Sequence, residues 1–150
     1  MSIFVNKVEI TDAEIGQEMQ YHPAPAREQA WHMAAQSLVI RQLLLQQAAG
    51  NGLCGDVDSI VPGEDEKLID QLLDQDVVIP EADEATCQRF YDTHPNSFIE
   101  EESGERVSFE LAQANIREYL HTKAMRIAVA EYIKALSYSA DIKGFELDNL

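Results

Sequence analysis

The chain is short of positive charge. Its 150 residues include 11 Lys and Arg against 27 Asp and Glu, a formal net charge of −16. Such a field repels phosphate backbones and anionic lipid, so neither nucleic acid nor a membrane surface is an expected partner. The simplest use of the acids is a well-solvated surface; steering of basic partners is the alternative. Cysteine is scarce as well: Cys54 and Cys87 have no short-spaced partner, which argues against a zinc site and a disulfide scaffold and fits a reducing compartment. No apolar run approaches the ~18 residues of a membrane span, and residues 1–16 lack the basic and apolar regions of a signal peptide. The expected location is cytoplasmic.

Motifs of catalysis are missing too. Of the four histidines, His22, His32, His94 and His121, no two have metal-ligand spacing, and no phosphate-binding glycine loop or nucleophile elbow occurs. His22 or His32 with Cys54 is a conceivable catalytic pair, but surface or half-buried histidines are the simpler reading. The acidic runs Glu64-Asp65-Glu66 and Glu100-Glu101-Glu102 read as solvated first-turn and loop acids. The residues therefore point to no catalytic residue, no metal and no cofactor, and favour binding over catalysis.

What is present is a helical pattern. Apolar residues make up 45% and charged residues 25%, ordinary values for a folded domain, and 150 residues suffice for one core without staples. Ile3 to Val5 and Val8 to Ile10 flank Asn6-Lys7 and read as a small hairpin. A two-stranded unit is marginal in water, and the only comparable segment is 141–147, so the terminal strands are predicted to meet. Thr11 and Glu14 form a capping-box pair ahead of a short helix that stops before Pro23 and Pro25.

From about Ala26 to Ala49 the pattern is helical and apolar over most of the circumference, with Trp31, Ala34, Ala35, Leu38, Leu45 and Ala48 on the main stripe; such a helix is central to a bundle. Gly50-Asn51-Gly52 ends it. Residues 64–76 place Leu68, Ile69, Leu72 and Leu73 on one face. Asp83 caps a fourth helix that turns Cys87, Phe90 and Tyr91 inward and stops near Thr93, because His94 precedes Pro95. Residues 97–107 are an exposed acidic connection. Ser108 then precedes a final helix of about 30 residues, which at ~1.5 Å per residue is some 45 Å long. A single domain does not need that length, so part of the helix projects or pairs with a second chain. The expected fold is mainly α: one domain over 1–150, about five helices with a long C-terminal one, and short terminal strands that pair.

Read in order, these segments resemble a known family. Val5-Asn6-Lys7-Val8-Glu9-Ile10, then AWHMAAQSLVIRQLLLQQAAGNGL, then IPEADEATCQRFYDTHPNSF, resemble successive segments of SurA-like, parvulin-type peptidyl-prolyl isomerases. VSFELAQANIREYLHTKAMRIAVAEYIKALSYSADIKGFEL is similar to the C-terminal segment of their NifM-like branch. In full-length relatives the catalytic domain lies between the segments that match Phe98 and Ser108. Here nine residues stand between them, and no position matches a family catalytic residue.

The resemblance implies a helical chaperone scaffold whose isomerase domain is deleted: a non-catalytic, holdase-like or maturation-factor domain that binds unfolded or partly folded client polypeptides. The expected client groove is apolar and lies near Trp31, Leu38, Ile116, Tyr119 and Leu120. Two other functions compete with this one. A residual prolyl isomerase is the catalytic alternative, and a structural homodimer or regulatory subunit paired through the last helix is the other.

Overall fold

The structure, a computed structural model, describes residues 2–148 and 150. It is mainly helical, and its described residues form five α-helices and one three-stranded antiparallel sheet. The chain packs as two compact units: residues Met1–Val77 with Val129–Leu150, and residues Val78–Ala128.

The first unit begins with strands β1 (Ile3–Val5) and β2 (Val8–Ile10). The turn between them holds Asn6 at φ 48° and Lys7 at φ 72°. Positive φ at both central residues marks the tight turn whose twist matches that of paired strands. Helix α1 (Asp12–Glu18) starts at the predicted capping box. The Glu14 amide donates to Thr11 Oγ1 at 3.2 Å, and the Thr11 amide donates to the Glu14 carboxylate at 2.7 Å. A 3-10 turn over Met19–Tyr21 leads out of it.

Helix α2 (Arg27–Gly50) is central to this unit, as its pattern predicts. Ala34, Ala35, Val39, Leu43, Leu44, Leu45 and Ala48 are buried, on more than one face. One side of α2 joins Ile3, Val5, Ile10 and Ile15 in a core. Another joins Leu72 of helix α3 (Asp65–Asp76) and Ile133. Full burial of an Ile or Leu stabilises by roughly 1.5–3 kcal/mol, so these aliphatic clusters carry the unit. After α2 the left-handed position falls on Gly52, at φ 80°.

The predicted meeting of the terminal strands is found. Strand β3 (Ile142–Lys143) pairs antiparallel with β1, in the order β2-β1-β3. Phe145 and Leu147 beyond it pack on the core of α2. Gly144 has φ 84°, and a Cβ built on it would lie 2.9 Å from the carbonyl oxygen of Ser2. Any side chain there would push β3 away from the N-terminal strand.

The second unit contains helix α4 (Glu84–Thr93) and residues 109–128 of helix α5 (Phe109–Ser139). Asp83 caps α4 by accepting from the Thr86 amide at 2.8 Å. The side-chain and backbone hydrogen bonds from Thr86 hold the Asp83 carboxyl below its ordinary pKa. Cys87, Phe109, Ala112 and Ile116 form the core, with Phe90, Tyr91, Phe98 and Leu120 around it. Residues 129–139 of α5 belong to the first unit, where Ile133 is buried. The length of α5, too great for one small core, is thus used in both units.

Candidate functional site

Two places have built-up geometry, one in each unit. In the first unit a cleft of about 520 Å³ is walled by β2, by Glu14 of α1, by α2, and by Asp56 with the 3-10 turn at Val57–Ser59. Ile10, Leu38 and Val57 give it apolar lining. Four acidic residues, Glu9, Glu14, Asp56 and Asp58, also line it, the Glu9 carboxylate accepting from Ser2 and that of Glu14 from Thr11, and Arg41 is the single basic residue among them. The Nε2 atom of Gln42, in the same lining, is buried and has no hydrogen-bond partner. Burying an amide nitrogen without an acceptor costs of order 1–3 kcal/mol.

In the second unit the acidic connection closes as a narrow loop. Ile99 and Arg106 form an antiparallel bridge, and the Val107 amide donates to the Phe98 carbonyl at 2.7 Å. Arg106 pins this neck. Its guanidinium carbon stands 3.7 Å from the centre of the Tyr91 ring, while Nη2 donates to the carbonyls of Tyr91 and His94, the latter at 2.9 Å. It thus adds a second bond to carbonyls at the end of α4 that already accept from the His94 and Ser97 amides. The Tyr91 hydroxyl returns a bond to the Val107 carbonyl at 2.6 Å. The tip, residues 99–105, is exposed. Phe98 sits at φ 65°, an uncommon conformation for an aromatic residue, which lets the chain turn into the neck.

The five residues expected to form a client groove are distributed as follows. Trp31 and Leu38 lie on α2 in the first unit, both half-buried at the margin of its core, and Leu38 lines the acidic cleft. Trp31 packs against Phe145 at a ring separation of 6.3 Å. Ile116 is buried in the core of the second unit, so its role there is packing. Leu120 is half-buried beside it, and Tyr119 is 52% exposed with its ring 5.5 Å from that of Phe90.

The histidines are half-buried or exposed. His22 bonds Glu18 at 3.1 Å, and His32 bonds Asp148 at 3.0 Å. Among the described residues, no group of three or more His, Cys, Asp or Glu side chains could hold a metal ion, and no helix is long and apolar enough to cross a membrane.

The sequence reading missed the polar hubs. Asn6 accepts from the Asp141 amide and donates to Gln46, each through its side chain, and its own amide donates to the Asp141 carbonyl. Asn in a two-residue turn was the available signal; its partners 40 and 135 residues away were not. The acidic cleft left no local signal, because its walls come from four separate elements. Comparison of the chain with protein-family models, with curated proteins and with solved structures finds no match.

Proposed function

We propose that this chain is a non-catalytic, chaperone-like or maturation-factor module that binds unfolded or partly folded client polypeptides, built on a SurA-like, parvulin-type scaffold without its isomerase domain. The observation that carries the reading is the neck at Phe98 and Val107. The family resemblance puts a catalytic domain between Phe98 and Ser108, and here the chain leaves and returns through hydrogen-bonded Phe98 and Val107. A domain with close termini requires such a junction, and its removal would leave a short loop like the acidic tip. Half-buried Trp31 and Leu38 in the first unit and exposed Tyr119 in the second offer apolar surface to a client.

The test is suppression of aggregation of a chemically unfolded model protein. Protection at near-equimolar ratio is expected; no effect at several-fold excess would overturn the reading. A protease-coupled proline isomerisation assay should show no catalysis, and clear turnover of a proline peptide would replace the binding module with an isomerase.

A homodimer through the last helix is a second reading. It is favoured by Leu111, Tyr119 and Ile127 of α5, which are 76%, 52% and 57% exposed. Light scattering decides it, since a monomer at high concentration excludes the dimer.

A further inference from the structure

The order β2-β1-β3 leaves the outer edge of β2 without a strand. The two-residue turn fixes which backbone groups point outward. In such a hairpin the residues flanking the turn, Val5 and Val8, exchange ladder bonds, and the next pair, Phe4 and Glu9, does not. The other side of β1 agrees: Phe4 pairs with Lys143, and the Asn6 amide donates to the Asp141 carbonyl at 2.8 Å. Even-numbered residues of β1 thus face β3 and odd-numbered ones face β2. By the same parity the N–H and C=O of Glu9 point away from the sheet.

This open edge forms part of the acidic cleft. Natural edge strands are commonly blunted by Lys, Pro or a covering element, whereas here Val8, Glu9 and Ile10 border a concavity. Four acidic residues against one Arg make its charge complementary to a cation, and the chain's −16 adds to the attraction. Outward backbone groups beside an acidic lining describe the complement of an extended basic peptide.

We propose that the cleft binds an extended basic stretch of client polypeptide, which adds to β2 at Glu9 as a fourth strand and sets Lys or Arg side chains against Glu9, Glu14, Asp56 and Asp58. The inference rests on the client-binding function above and specifies the chemistry of the client. Apolar side chains alternating with the basic ones would meet Ile10, Leu38 and Val57, since successive residues of a strand point to opposite faces.

The test titrates the full chain, labelled with ¹⁵N, with a blocked peptide of alternating Lys and Val and with its Glu and Val counterpart. The Lys peptide should shift the amide signals of Val8, Glu9 and Ile10, slow exchange of the Glu9 amide, and weaken with added salt. The Glu peptide should not bind. The double change Asp56→Asn with Asp58→Asn alters two loop carboxylates that make no cap bond and should weaken the Lys peptide by roughly tenfold. Glu9→Pro removes the outward donor but no ladder bond, and should abolish binding with the helical circular dichroism retained. Equal binding of the two peptides, signal changes confined to other segments, unchanged affinity in the double variant, or no binding at millimolar peptide would each overturn the proposal. The two readings fail separately. Suppression of aggregation that the double variant leaves intact removes the cleft and keeps the function; peptide binding as described with no client protected does the reverse.

Discussion

The two units differ in how far along the chain their polar ties reach. In the first, the side chains of Asn6 and Gln36 bond the backbone of Asp141 and Asp148, and His32 reaches the Asp148 carboxylate, across 112 to 135 residues. In the second, the ties of Arg106 and Tyr91 span 9 to 16 residues, and the longest, from Arg117 to the Ala82 carbonyl, spans 35. Both have an apolar core, but only the first needs distant segments to meet before its polar groups are satisfied. Contacts close in sequence cost less loop entropy and form faster. The second unit is therefore the locally encoded one.

Matched core truncations test this most severely. Ile3→Ala and Ile116→Ala remove side chains that are 1% exposed, one in each unit, and each should cost roughly 2–5 kcal/mol. Hydrogen exchange should show protection lost within residues 3–48 in the first variant and within residues 84–120 in the second. Equal loss throughout both variants would break the distinction.

Arg106→Ala should destabilise the second unit by about 1.5–3 kcal/mol, the range for hydrogen bonds made by a charged group, measured by urea unfolding followed through exchange at α4. Arg106→Lys should recover little, because an ammonium cannot both lie flat on Tyr91 and fork between the carbonyls of Tyr91 and His94.

A smaller effect belongs to the first unit. Tyr132 donates to the Asp76 carboxylate at 2.5 Å, and burial, followed by that bond and the negative charge, raises the phenol's pKa above its ordinary value. The sign follows from linkage. With the folded value above the unfolded one of ~10, the stabilisation is complete below about pH 10 and is lost as pH rises toward the folded value. Tyr132→Phe should cost about 1 kcal/mol at neutral pH and make the alkaline decline in stability shallower, as read from thermal unfolding between pH 8 and 11.

The smallest effect should be a gain. Lys7 holds φ 72° in the hairpin turn, where glycine is the preferred partner of a preceding Asn. Lys7→Gly should raise stability by about 0.4–1 kcal/mol, since strain in the folded turn outweighs the added freedom of the unfolded chain. A loss in thermal midpoint would show that the Lys7 conformation is not strained.

These contrasts mark what the sequence could convey. The capping box at Thr11 and Glu14, the Asp83 cap and the stop at His94-Pro95 were legible because each is decided within four residues. The centrality of α2 was legible because its apolar residues cover more than one face. The pairing of β1 with β3 was reached by elimination, since a lone hairpin needs a neighbour. The two-unit division was not legible, because the uninterrupted pattern of α5 carries no mark where one core ends and the other begins. Arg106 read as one more charge in an acidic loop; only the ring of Tyr91 and the end of α4 give it a task. The cleft was equally silent, since Glu9, Asp56 and Arg41 become neighbours only when three segments close on one another.

The division of the chain also has a consequence for its synthesis. The first unit takes Met1–Val77 and Val129–Leu150, and the second takes the stretch between. A ribosome adding ~5–20 residues per second polymerises the whole of the inner unit before β3 exists. The host unit meanwhile waits with the inner edge of β1 unpaired and the apolar face of α2 bare of Ile142, Phe145 and Leu147. Order of birth and order of completion are thus reversed: the part of the chain made first is the part finished last, and for that interval it presents the kind of sticky, half-made surface that folding helpers recognise.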